Sequence, residues 1–231
     1  MEPVLGDMAS EGRYERLADD VVVWDEPAGS EPAGEGAATV PSRDWAALSA
    51  ANPDVAAWVR VEGTPVDYPV MGTGRESPED FYLSHDFWRE ASGIGCPTLA
   101  EGSSALGRHA LVYGHHWAPT DKMFSTLAPV WRQDAFDGLG ACVWETPGRG
   151  VATLRPLCAL SVDMGFEDIQ TYGFADDAAF RDWLRRICEG ASARAEGWEE
   201  VCASAERVVT LVTCTSPLSG QAERTLVLFA G

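Results

Sequence analysis

No run of eighteen or more apolar residues occurs in this chain, and Met1–Arg13 lacks both the basic and the apolar region of a signal peptide. The chain as it stands is expected neither to span a membrane nor to direct its own export. Basic residues are scarce: 17 Lys and Arg stand against 36 Asp and Glu, a formal net charge of −19. That balance argues against a nucleic-acid partner and against docking on an anionic membrane surface, and it fits a chain kept in solution by its own charge. The six cysteines include no C-x-x-C pair, so neither a zinc ribbon nor a dithiol redox motif is spelled out, and no metal is expected. Five of them, Cys96, Cys142, Cys158, Cys188 and Cys202, lie in apolar or helical contexts and read as small buried residues; a Cys188–Cys202 bridge stays open if their segments pack together. Histidine is rarer still, with 4 in the chain.

What is present is β-rich. Arg207–Gly231 holds two apolar runs, Val208–Val212 and Thr225–Phe229, separated by the turn-forming Ser216–Gly220. Cys214 ends the first run and Arg224 opens the second, so the intervening loop can return guanidinium and thiol to one rim. A third run, Ala110–Tyr113, stops at Gly114 and is followed by His115 and His116. A thiol becomes a nucleophile as its thiolate, which calls for a neighbouring base. Cys, His and Arg at the tips of separate strands form the set expected of a cysteine transpeptidase or protease whose site is assembled by folding. His115 and His116 are both candidates for that base at this point, while His85 and His109 lie in no motif.

At 231 residues the length suits one domain with an N-terminal appendage. Tyr14, Leu17, Val21 and Trp24 form one helical stripe, and Asp25–Pro41, rich in Glu, Pro, Gly and Ala, reads as a linker. Residues 1–41 are therefore separated from residues 42–231 and expected to contribute little stability. Ser42 is expected to cap a helix over Arg43–Ala50. Alternation over Ala57–Glu62 and Val66–Val70 predicts a hairpin, with further strands at Gly93–Leu99, Ala110–Tyr113, Ala141–Thr146 and Val151–Val162. Phe180, Trp183, Leu184 and Ile187 mark a helix starting at Asp176 or Asp177.

The chain resembles the class B sortases. The pieces that carry the resemblance are Asn52–Val59, Gly63–Val70, Phe81-Tyr82-Leu83, Tyr113-Gly114-His115-His116 with Met123-Phe124 and Leu127, and Thr210-Leu211-Val212-Thr213-Cys214 with Arg224, in the family's order from about Trp45 onward. The resemblance implies a mainly β fold: a closed, mainly antiparallel eight-stranded barrel with N-terminal helices and one helix inserted before the Cys-bearing strand. It implies catalysis by Cys214, His115 and Arg224, and substrate contacts from Leu83, Tyr113, Val212, Thr213 and Thr215, although plain core packing is the alternative for Phe81–Leu83. It implies a cysteine transpeptidase that cleaves a C-terminal sorting signal at Thr and passes the acyl group to an amine, with no cofactor. Partners would be a surface protein or pilin bearing the signal, and an amine from peptidoglycan precursor or a pilin lysine. The expected location is the extracellular face of the cell membrane, through an anchoring N-terminal segment absent from this chain. Val212 stands where the family usually has Ser. A hydrolytic cysteine peptidase using the same residues, and a non-catalytic cell-surface binding module, stay open beside this reading.

Overall fold

The computed structural model describes residues 12–23, 42–72, 77–78, 80–117, 120–216 and 222–231. Trp24, the expected linker and most of the 216–220 turn lie outside them. Helix α1 covers residues 12–20, followed by the short strand β1 (Val22–Val23), which pairs with β2 (Ser42–Arg43). Helix α2 (Trp45–Ala51) then leads to β3 (Val55–Val61) and β4 (Asp67–Met71). The cap of α2 is Asp44 rather than Ser42: its carboxylate accepts from Ala47 N at 2.9 Å, because pairing with β1 draws Ser42 and Arg43 into extended backbone.

The strand expected over Gly93–Leu99 shrinks to β5 (Thr98–Leu99). Gly95 interrupts it with φ +61°, and a Cβ there would lie 2.6 Å from the Tyr82 carbonyl oxygen, so both the conformation and the close approach require glycine. The chain continues through β6 (His109–Tyr113), a short helix α3 (Gln133–Phe136), β7 (Cys142–Thr146) and β8 (Gly150–Asp163). Helix α4 (Asp177–Glu189) begins at Asp176, whose side chain accepts from Ala179 N at 2.8 Å. Strand β9 (Ala193–Arg194) and a second helix, α5 (Trp198–Ser204), precede β10 (Val208–Cys214) and β11 (Glu223–Ala230). Two helices, not one, therefore precede the Cys-bearing strand. The start of α5 is Gly197 at φ +69° with no side-chain cap, so only Glu199 and Glu200 in its first turn mark the start.

The strands follow one another as β11-β10-β6-β5-β4-β3-β7-β8, and β8 closes on β11 to complete an eight-stranded barrel; β9 adds to the far edge of β8. Most pairs are antiparallel, but β6–β10 and β4–β5 are parallel. β10 is buried on both faces. Val209 and Leu211 join the barrel interior, while Val208 and Val212 join an outer core that α4 covers with Phe180, Trp183, Leu184 and Ile187. Double-sided burial explains why β10 reads as a continuous apolar run rather than an alternating one.

α1 is fastened to the barrel. Tyr14, 1% exposed, donates from its hydroxyl to Gly95 O at 2.9 Å and accepts from Phe87 N at 3.0 Å, and Val21 is buried in the interior cluster. This docking bears against the expectation that the N-terminal segment contributes little stability, since a buried aromatic with both hydrogen-bonding roles filled is costly to remove.

Candidate active site

Parallel pairing puts the C-terminal ends of β6 and β10 at one rim, and antiparallel β11 starts there. His115, two residues past β6, Cys214, the last residue of β10, and Arg224, the second of β11, thereby meet across about a hundred positions of sequence. Cys214 and Arg224 are Cα partners, so they share one face of the sheet. This is the outer face, the side of Val212 and Leu226.

A cavity of about 320 Å³ opens there, and its wall includes Cys214, His115 and Arg224. Leu111, Tyr113, Val212 and Leu226 give it an apolar side, and Val162 through Gln170 contributes Met164, Phe166 and Ile169 after β8. Cys214 is half-buried, whereas the other five cysteines are fully buried. Such exposure separates a thiol that can meet a substrate from thiols that only fill space.

His115 Nε2 lies 2.7 Å from the carbonyl oxygen of Leu83. A carbonyl only accepts, so Nε2 carries the proton, and Nδ1 is left as the nitrogen that takes up or gives up a second one. Leu83 thus lines the cavity and also orients the imidazole through its main chain. Gly114 precedes His115 at a point where a Cβ would stand 2.4 Å from the Phe124 ring. His116 points elsewhere, its Nδ1 lying 2.9 Å from Cys214 O.

The Arg224 guanidinium donates through Nη1 to Glu223 O at 3.1 Å. Burial pushes the Tyr113 phenol up from its usual range, and the charge of Arg224 works against that rise. Asp163 is the carboxylate on the cavity wall among the described residues.

The expected substrate contacts divide. Leu83, Tyr113 and Val212 line the cavity. Thr213 belongs to its wall, but its side chain alternates to the other face of β10, where Oγ1 is buried without a partner among the described residues. Thr215 is not on the wall; its hydroxyl lies 3.1 Å from Thr225 Oγ1, which in turn donates to Ala128 O at 2.7 Å. The hydroxyls of Thr213 and Thr215 therefore do not face the cavity. Nothing in the sequence marks the β8–α4 segment or the Leu83 carbonyl as part of the site: the first carries no motif, and the second is a main-chain group.

No metal-binding group of three His, Cys, Asp or Glu occurs among the described residues, and none of their helices is long and apolar enough to cross a membrane. No family model matches the sequence, and no curated protein matches it. Solved structures do match in fold. A Staphylococcus aureus sortase B–substrate complex aligns at 22% identity and TM-score 0.67, covering 80% of this chain and 82% of that one. Clostridium perfringens sortase B aligns at 23% identity and TM-score 0.67 over 80% of this chain and 97% of that one. Sortase B from Bacillus anthracis aligns at 18% identity and TM-score 0.71, covering 99% and 95%. The chain is built on the class B sortase fold.

Proposed function

We propose that this protein is a sortase-type cysteine transpeptidase that acts on a C-terminal sorting signal. The observation that carries the reading is the convergence of Cys214, His115 and Arg224 on one cavity of a barrel with the sortase B fold. Similar structures include a sortase B–substrate complex and a sortase B bound to triglycine, which support a peptide substrate and an amine acceptor in general terms.

In the reaction, the Cys214 thiolate attacks the carbonyl carbon of the signal's Thr, forming a C–S bond and a tetrahedral oxyanion. Arg224 donates hydrogen bonds to that oxygen as its charge develops. The C–N bond breaks as His115 gives its proton to the departing amine, leaving a thioacyl enzyme. An incoming amine from peptidoglycan precursor or a pilin lysine then attacks the thioester, His115 takes its proton, and Cys214 leaves as thiolate. Leu83, Tyr113 and Val212 would contact the signal. We place the enzyme at the outer face of the cell membrane, and we assign the site to residues 42–231, with residues 1–41 as a supporting segment.

The test is mass-spectrometric trapping of a thioacyl adduct with sorting-signal peptides, followed by addition of triglycine. An adduct on Cys214 that triglycine converts to a ligated product is the expected result. Hydrolysis unaffected by the amine would replace the transpeptidase with a peptidase.

A further inference from the structure

Hydrogen bonds in a parallel ladder recur at every second residue. Along β6–β10 the main-chain bonds at the two ends are Val208 N to Arg108 O at 2.7 Å and Gly114 N to Val212 O at 2.9 Å. Continuing the alternation would set the main-chain N–H of His116 against the carbonyl of Cys214. The chain turns away instead: His116 forms an antiparallel bridge with Met123, and Phe124 N donates to His115 O at 3.0 Å. The side chain of His116 takes up the vacated place, with Nδ1 2.9 Å from Cys214 O. Because a carbonyl oxygen only accepts, Nδ1 bears the hydrogen. Thr215 N donates to Glu223 O at 3.2 Å on the other side of the strand end, so the main chain around Cys214 is held from both neighbours.

We propose that His116 is a positioning residue whose ring N–H replaces the missing ladder bond and fixes the Cys214 main chain, and with it the direction of the thiol. This deepens the reading of Cys214 as the nucleophile and rests on it. The two adjacent histidines divide the work. Their rings go to different carbonyls, His115 to Leu83 and His116 to Cys214, leaving the first for proton transfer and the second for geometry. The hydrogen bond survives protonation of His116, since the imidazolium also has a hydrogen on Nδ1.

The test uses His116→Asn, His116→Gln and His116→Leu in the full chain, with melting curves as the folding control. Asn places an amide N–H at the same branch point as Nδ1, Gln places it one bond farther out, and Leu removes the donor. Single-turnover acylation by Leu and Gln should fall on the order of tenfold with KM little changed, and Asn should recover most of the loss. Independently of any substrate, hydrogen exchange of the Thr215 amide should speed up about tenfold in Leu and Gln but not in Asn. In the wild type, ¹⁵N shifts should show the neutral ring protonated at Nδ1. An Nε2–H tautomer, or Asn behaving like Leu in exchange, overturns the proposal. If wild type acylates no sorting peptide, the transpeptidase reading falls, and the exchange and tautomer data still decide the role of His116.

Discussion

Cys214 and Arg224 are directly paired across the β10–β11 ladder, ten positions apart in sequence and opposite one another in register. Their side chains leave the sheet on the same face, which is the condition for a guanidinium to reach an oxyanion formed at that thiol. Replacing Arg224 by Lys keeps the charge but loses the planar fork that fixes donor position. Single-turnover acylation by Arg224→Lys should fall by about 10²–10³-fold with normal folding. Equal rates would remove Arg224 from the site.

Cys214 should be the one fast thiol of the native protein. Burial pushes the Cys96 and Cys142 thiols up, and hydrogen bonding among the clustered thiols, followed by burial, raises those of Cys188 and Cys202. Iodoacetamide should modify one equivalent in the folded state and six after unfolding. In Cys214→Ala the fast equivalent and the thioacyl adduct should both vanish while the melting temperature holds. Turnover by that variant would show that another group is the nucleophile.

Tyr14 offers a measure of how firmly α1 is docked. Tyr14→Phe leaves the Gly95 carbonyl and the Phe87 N–H without their buried partner and should cost about 1–3 kcal/mol. Tyr14→Ala should cost about 3–5 kcal/mol through the cavity it opens. Urea denaturation reads both. Deletion of residues 1–41 should likewise lower stability without removing any residue of the cavity wall, and an unchanged midpoint would mean that the helix is not needed to hold the barrel.

His109 makes stability depend on pH. Its ring donates to Thr171 O and meets Thr210 Oγ1, both at 2.9 Å, and lies tilted against the Trp183 ring with centroids 4.8 Å apart. Burial lowers its pKa from 6.5 to about 4. The folded state therefore binds fewer protons than the unfolded chain between those values, and the stabilising contribution is complete above about pH 6.5 and lost as pH falls toward about 4. The loss amounts to on the order of 3 kcal/mol. The fall in denaturation free energy between pH 7 and pH 4 should be smaller by that amount in His109→Gln than in wild type. Parallel curves for the two proteins would refute it.

Gly114 is required by packing rather than by backbone conformation. A Cβ there would lie 2.4 Å from the Phe124 ring, so Gly114→Ala must displace that ring or the His115 main chain beside it. Overpacking of this kind costs about 1–3 kcal/mol. Acylation should slow along with the loss of stability, and Phe124→Leu in the same chain should restore part of both. An alanine variant with wild-type melting and wild-type rates would show that the segment has room to spare.

Much of this was legible before folding. Strand propensity and turn residues marked the ends of β6, β10 and β11, and these ends carry His115, Cys214 and Arg224, because both signals are local. The stripe Phe180, Trp183, Leu184 and Ile187 likewise placed α4 through helical periodicity, and Asp176 marked its start. Where the local signal is weak, as at α5, which starts on Gly197 without a side-chain cap and has only Glu199 and Glu200 to mark its first turn, the element is not legible.

Strand partners and their directions are long-range choices, fixed by which faces can be buried together. The parallel β6–β10 pair puts His115 beside Cys214; antiparallel pairing of the same two strands would have sent their tips to opposite rims. The same pairing decided which histidine faces the cavity and which holds the Cys214 carbonyl, and the pleat of β10 turned Thr213 away from the site. Sequence by itself determined the residue types and the strand ends. Apart from the β10–β11 hairpin, whose turn is local, only tertiary packing decided the neighbours, because the contacts that bring β6, β8 and the Leu83 carbonyl to the cavity join segments whose local signals carry no information about one another.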